Sequence, residues 1–578
     1  MRTKLSDVIV KALVDAGAGA FFVFTGGAIS HVIDSLARIS TASPPYYCFQ
    51  NEQAAAFAAE AYSRNSPQGL LGVTLTTSGP GASNLLSGIA GAWYDCIPAV
   101  YVTGQVRTWE LGIPKGRLQG GFQELDIVSM AKSVTKYAKT LTDPSTVRAE
   151  ILKAVELAKS GRPGPVVIDI PMDLQFETVE TSSLDLSFPS DLVSSGADVA
   201  TLGNVIDRLQ REISVAKKPL LLVGGGVRHA NAIPSLQNLV RRSGFPTIST
   251  YAAVDVLGTE DASYLGVMGQ FGSPLANAAT GECDLIIALG SRFAQKQLGN
   301  SPDLFAPSAK VVSVNIDKAE MAASPRKIDV AIDFDLKSLL EAWLPQLQDS
   351  QKNWVETSNL EAKGTFAKPD GRFDRGGLGS VSPYSLANQL VESIGSRPCI
   401  VALDVGQNVV ASVQRVKFPR NVRIFSSWGN SPMGYSLPAA IGAWIANPGS
   451  EIVCVIGDGG FQVNIQELQT IVQYRIPVKI LLWNNHAYVT IHEYQDGNLE
   501  SRYEATDASH GYSHPDFVAV AQAYGIRAHK LQAALSPGQL EQALFDTDQA
   551  VLLEVEVDPS ARLSPSVKGS SAVHEMTV

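Results

Sequence analysis

Gly457-Asp458-Gly459 follows an apolar run at residues 451–456, and Asn484-Asn485 follows a second run at 478–483. Such runs read as strands, and an open parallel sheet binds its ligands beyond the carboxyl ends of its strands. Asp458 would offer a carboxylate oxygen, Asn485 an amide oxygen and Ala487 a main-chain carbonyl. That set of hard oxygens leaves places on a magnesium ion for two phosphate oxygens and water. Either fragment alone is also an ordinary turn or loop. The pair, with 25 positions from Gly459 to Asn484 that include a helix-length stretch at 465–474, reads as an anchor for a diphosphate and its cation. Gly457, Gly459, Gly460 and Tyr488 fall in the same candidate site.

A second chemical group stands far upstream. Glu52 opens an alanine-rich helical segment after a short strand at 46–49. A glutamate there also suits the helix dipole. Gly26-Gly27 and Thr77-Ser78-Gly79-Pro80-Gly81 end two further strands, where glycine lets backbone approach a ligand closely.

Taken in chain order, from Leu5 to about Asp558, these segments resemble the acetolactate synthase group of thiamine-diphosphate-dependent enzymes. Residues 52–64 resemble that family's glutamate helix. Phe122-Gln123-Glu124 resembles its Phe-Gln-Glu element, and Met433-Gly434-Tyr435-Ser436-Leu437-Pro438 its Met-Gly-Tyr-Gly-Leu-Pro segment. Met433, Asp458 and Asn485 stand 25 and 27 positions apart, as in the family.

The resemblance implies a role for each position. Glu52 would hydrogen-bond the pyrimidine N1′ of thiamine diphosphate, so that the coenzyme's own amino group serves as base. Gly26 and Gly27 would line the reaction pocket, with Phe122 and Gln123 facing it. Gln407 and Asn408 would sit at the diphosphate. Met433 would wedge the coenzyme into its bent form, and the Ser431 carbonyl would accept from its amino group. Active sites would lie between subunits of a homodimer or homotetramer.

The middle of the chain carries Met268-Gly269-Gln270, then Arg292 after a strand-like run at 285–289, then Asn315-Ile316-Asp317 and Asp333. With Arg162 in Gly161-Arg162-Pro163-Gly164-Pro165, these resemble the synthases' FAD site, where the flavin has a structural role. The other reading is a dinucleotide fold that has lost its ligand.

Departures fall on the acceptor side. Residues 107–121 are longer than in the synthases, Arg292-Phe293-Ala294-Gln295-Lys296 replaces their Arg-Phe-Asp-Asp-Arg, and residues 488–495 lack their tryptophan. Residues 484–503 and 513–516 look like a branch that adds the acetyl unit of pyruvate to a keto-deoxysugar carried by a nucleotide. The expected function is therefore a carboligase taking pyruvate and a ketone or keto acid acceptor. The alternatives are acetolactate synthase itself and a non-catalytic homologue, which would have lost Glu52, Asp458 or Asn485. His486, His492 and His514 are candidate acids or bases near the acceptor.

These residues need a frame. Apolar runs alternate with helix-like segments throughout, the pattern of α/β sheets covered on both faces. With 578 residues the chain exceeds one core. Polar stretches at 178–195 and 349–382 divide it into domains 1–180, 190–345 and 375–560, which in the family bind the pyrimidine, FAD and the diphosphate with Mg2+. Residues beyond 562 lack a packing pattern. A net charge of -10 argues against nucleic acid. Scattered cysteines, no visible secretory signal and no run of 18 apolar residues point to a cytoplasmic enzyme with no membrane partner and small-molecule substrates.

Overall fold

The computed structural model describes residues 2–39, 44–112, 117–180, 199–347, 353–355, 380–531 and 536–576. It contains three six-stranded parallel sheets, one after another along the chain. The first is built from Ala18–Val23, Tyr46–Cys48, Leu71–Thr76, Val100–Gln105, Tyr137–Thr140 and Val166–Pro171. Numbered in chain order, its strands lie side by side as 2-1-3-4-6-5. The third sheet, from Cys399–Leu403 to Val551–Glu556, repeats that order. The middle sheet, from Pro219–Val223 to Val330–Asp333, is wound 3-2-1-4-5-6, the order of dinucleotide-binding sheets.

The central strands are largely apolar because helices cover both of their faces. Leu71–Thr76, Pro219–Val223, Leu285–Leu289 and Cys399–Leu403 are buried at every position. Strands nearer the sheet edges, such as Thr247–Ser249, Val330–Asp333 and Arg527–Leu531, are short or alternate between buried and exposed. No apolar run marks these three in the sequence.

Two helices tie the outer sheets together. Glu52–Asn65 joins the second and third strands of the first sheet, and Ser436–Ala446 makes the same connection in the third. Ala54, Ala55, Ala58 and Ala61 share a core with Ala439, Ala440 and Ala443. A Cβ on Gly442 would stand 2.1 Å from the Ala58 carbonyl oxygen, so the two backbones touch. The same contact carries a buried ion network: Arg64 pairs with Glu60 and, at 2.7 Å, with Asp95, and Tyr435 donates to Glu60 at 2.5 Å.

Two expectations change. The chain beyond Arg562 packs: Leu563, Val567, Ala572 and Val573 are buried. The Val567 N–H donates to the Gln270 carbonyl at 3.1 Å, and Asn300 and Ser301 bond the Gly569 and Ser570 carbonyls. These anchors sit at irregular intervals on a chain with little helix, so they leave no period to detect. Within the second polar stretch, Trp354 donates its indole N–H to the Pro219 carbonyl at 2.7 Å and packs on the middle sheet. Residues 349–352 and 356–379 of that stretch, residues 181–195 of the first, and residues 113–116 of the long loop lie outside the described residues. No helix among the described residues is long and apolar enough to cross a membrane.

Candidate active site

Asp458 begins the helix Asp458–Val463 directly after the strand Glu451–Gly457, and Asn485 follows the neighbouring strand Lys479–Asn484. Both side chains lie at the carboxyl edge of the third sheet, Asp458 after a strand that flanks the reversal of its winding and Asn485 one strand further on. Asp458 is buried with the Tyr512 hydroxyl close to its carboxylate, and its Oδ2 makes no hydrogen bond of good geometry. Burial raises its pKa. A buried carboxylate oxygen in that condition is costly unless a cation meets it. The Asn485 amide N–H donates to Gln407 Oε1 at 3.4 Å, which turns its oxygen toward the Ala487 N–H at 3.3 Å. Asn408 Oδ1 is a second buried oxygen without a partner. Among the described residues no group of three or more acidic, histidine or cysteine side chains is arranged to hold a metal ion by itself. The set is one carboxylate plus neutral oxygens, which fits magnesium held together with a diphosphate.

The glycines of this edge are sites of close approach. A Cβ on Gly459 would lie 2.3 Å from the Tyr488 ring and 3.1 Å from Met433 Cε. A Cβ on Gly460 would meet Asp404 at 2.8 Å. Asp404 accepts from the Gly434 and Ser436 N–H groups at 3.1 and 3.0 Å and so fixes the turn behind Met433. Burial pushes Asp404 up to about 6. Ser431 has φ +50°, a left-handed backbone two residues before Met433. Thus Gly457, Gly459, Gly460, Met433, Asn485 and Tyr488 converge, with Gln407 and Asn408 at their rim.

The amino-terminal group forms a separate cluster. Asn51 caps the Glu52–Asn65 helix by accepting from the Gln53 N–H at 2.8 Å. Glu52 is buried and its Oε2 accepts from Asn84 at 3.0 Å. A Cβ on Gly81 would lie 2.8 Å from Thr77 and 3.5 Å from Glu52 Oε1, and one on Gly26 would lie 2.5 Å from Thr77. The space beside Gly27 is open. Gln123 is held at φ +63° with its carbonyl 2.9 Å from the Cβ position of Gly79, and Phe122 is 85% exposed. No hydrogen bond among the described residues joins this cluster to Asp458 or Asn485.

A third cleft opens at the carboxyl edge of the middle sheet, where its winding reverses. Gly224 and Gly290, after the two strands that flank the reversal, press together, since a Cβ on Gly224 would be 2.2 Å from the Gly290 oxygen. Arg162, Arg292, Asn315 and Ile316 line this cleft. Arg162 does so with its guanidinium on Cys96 Sγ at 3.0 Å, Asp317 at 3.1 Å and Glu320 at 2.7 Å. Met268, Gly269, Gln270 and Asp333 lie outside the lining. Met268 is fully buried in a core, and Gly269 is tied on both sides to the Asn277 amide. Asp333 ends an outer strand on its exposed face and pairs with Lys318 at 2.9 Å. Asp335, two residues later, lines the cleft, as do Tyr251 and Trp428. Nothing in the local sequence pattern marks those three.

The histidines separate. His486, at φ +57° between Asn485 and Ala487, bonds His514 at 2.8 Å and Glu556 at 2.7 Å. His492 is buried against Tyr503, and that burial lowers its pKa.

Three protein-family matches cover most of the chain: the N-terminal TPP binding domain of thiamine pyrophosphate enzymes over residues 3–130, their central domain over 206–343 and their C-terminal TPP binding domain over 404–555. The chain belongs to the thiamine pyrophosphate enzymes. Within them it is an acetolactate synthase-like catalyst of carbon–carbon bond formation. It is 32% identical over 575 residues to the acetolactate synthase isozyme 2 large subunit of Escherichia coli K12, covering 98% of both chains. It is 32% identical over 581 residues to the probable acetolactate synthase large subunit of Methanococcus aeolicus, covering 97% of this chain and 93% of that one. To the chloroplastic acetolactate synthase 2 of Nicotiana tabacum it is 32% identical over 580 residues, covering 99% and 85%.

Proposed function

We propose that the protein decarboxylates pyruvate and joins the remaining acetyl unit to a second 2-keto acid, the acetolactate synthase reaction. The observation that carries the donor half is the buried Asp458 carboxylate, whose Oδ2 makes no hydrogen bond of good geometry, at the end of the strand next to the one that Asn485 follows. With the Ala487 carbonyl these would hold magnesium and the diphosphate of thiamine diphosphate. Bound there, the coenzyme supplies the nucleophilic carbon and the electron sink that decarboxylation needs.

The chain's own groups then have distinct tasks. Glu52, buried and held by Asn84, keeps a proton at the pyrimidine nitrogen. Met433, 37% exposed on a turn fixed by Asp404, supports the middle of the coenzyme. Gly26 and Gly27 leave room for substrate, and Gln123 donates to a developing oxygen. The exposure of Phe122 and Met433 in a single chain, and the lack of a bond between the two clusters, favour a homodimer or homotetramer in which each site takes one cluster from each subunit. FAD in the middle cleft, with a structural role, is favoured by the 3-2-1-4-5-6 winding and the glycine contact there.

The curated relatives favour a keto acid acceptor over the nucleotide-linked keto-deoxysugar. One observation keeps the ketone as a second reading: the helix Val489–Asn498 carries Tyr494, 61% exposed, and no tryptophan. The deciding experiment supplies pyruvate, thiamine diphosphate and magnesium, with and without added ketones. Acetolactate from pyruvate alone at a rate that ketones do not raise is the expected result. Carbon dioxide release that depends on a ketone would replace the synthase reading, and no release under any condition would end both.

A further inference from the structure

The segment that leads to Met433 starts inside the middle cleft. The Trp428 ring stacks on Tyr251, with centroids 6.1 Å apart and planes 14° from parallel, and both rings form part of the cleft wall. The Trp428 N–H donates to Asp95 Oδ2 at 2.8 Å and the Gly429 N–H to Asp95 Oδ1 at 2.8 Å. The other end of the segment is equally tight: the Ser431 N–H reaches the Ser427 carbonyl at 2.9 Å, and its hydroxyl the Trp428 carbonyl at 3.4 Å. Asp95 is itself pinned by Arg64, on the helix that Glu52 begins.

We infer that Trp428 and Asp95 are positioning residues that couple occupancy of the middle cleft to the placement of Met433, and hence to the hold on thiamine diphosphate. The Tyr251–Trp428 wall suits a flat aromatic ring, and the glycines at 224 and 290 let phosphates approach backbone. The cleft's ligand class is therefore an aromatic dinucleotide. Two charge-assisted bonds to one buried carboxylate make the strap stiff at Trp428. Pressure of a ligand on the indole is then passed along five residues to Met433 and is not absorbed locally. The coupling rests on the proposed coenzyme site at Asp458, and it must be reciprocal.

The test uses the full chain, magnesium and calorimetry, with FAD as the cleft probe. In the wild type, saturating FAD should tighten thiamine diphosphate binding about tenfold, and thiamine diphosphate should tighten FAD by the same factor. In Trp428→Leu, which also weakens FAD by removing part of the cleft wall, and in Asp95→Asn the factor should fall to near one at FAD concentrations that saturate each variant. Trp428→Phe, which keeps the stack, should retain most of it, and this variant decides if the others fail to fold. Equal affinity with and without FAD, no FAD binding, or unchanged coupling in the folded variants would overturn the inference. Uptake of FAD with no uptake of thiamine diphosphate under any condition would instead remove the coenzyme reading beneath it.

Discussion

The carboxylate of Glu467, between the second and third helical segments after Asp458, accepts the backbone N–H of Gln50, at 3.2 Å to Oε1 and 3.3 Å to Oε2. Gln50 lies two residues before Glu52, so a side chain of the diphosphate-side sheet sets the start of the helix that bears the acid. Thr470 donates a further bond at 2.6 Å.

Burial pushes Glu467 up to about 7. A carboxyl raised on folding binds its proton more tightly in the folded state. Its contribution to stability is then full below the ordinary glutamate value and lost as pH rises through about 7. Asp169 and Asp404, both pushed to about 6, and Glu493, pushed to about 7, add to the same slope. Thermal midpoints should fall across that window in the wild type. In Glu467→Gln the fall should be shallower, and an unchanged slope would remove Glu467 as a source.

Glu52→Gln keeps the size and the Asn84 contact but cannot hold a proton. Single-turnover release of carbon dioxide from pyruvate should slow by about 10²–10⁴-fold. Calorimetric binding of thiamine diphosphate should barely change.

Asp458→Asn separates binding from stability. Loss of a charged contact of about 3 kcal/mol should weaken magnesium-dependent thiamine diphosphate binding by roughly two orders of magnitude. Without ligands the variant should unfold at higher urea than the wild type, because a buried charge with no cation beside it is gone. A drop in ligand-free stability would contradict the assignment of Oδ2.

Gly442→Ala places a methyl 2.1 Å from the Ala58 oxygen, which is backbone and cannot swing aside. The two helices must part, at a cost of about 1–3 kcal/mol. Urea unfolding followed by circular dichroism measures it.

The sequence displays whatever depends on strands buried on both faces. Apolar runs such as 220–223 and 285–289 mark central strands, and polar groups just past 456 and 483 mark a ligand edge. Groups whose neighbours are remote leave no such trace. Asp95 meets Trp428 across 333 positions and Glu467 meets Gln50 across 417. Asp333 fails as a cleft residue because an outer strand alternates its faces, while Asp335, in the cap of the next helix, reaches the cleft.

The helices Glu52–Asn65 and Ser436–Ala446 occupy the same place in two sheets of the same winding, and they pack on each other. One chain thus joins two unlike halves of like winding through their equivalent helices. A shift at the Ala58–Gly442 crossing cannot stay on one side. It moves the helix that Glu52 begins and the sheet that carries Asp458 together, so in the proposed dimer variation at that crossing would reach the two separate sites that one chain serves.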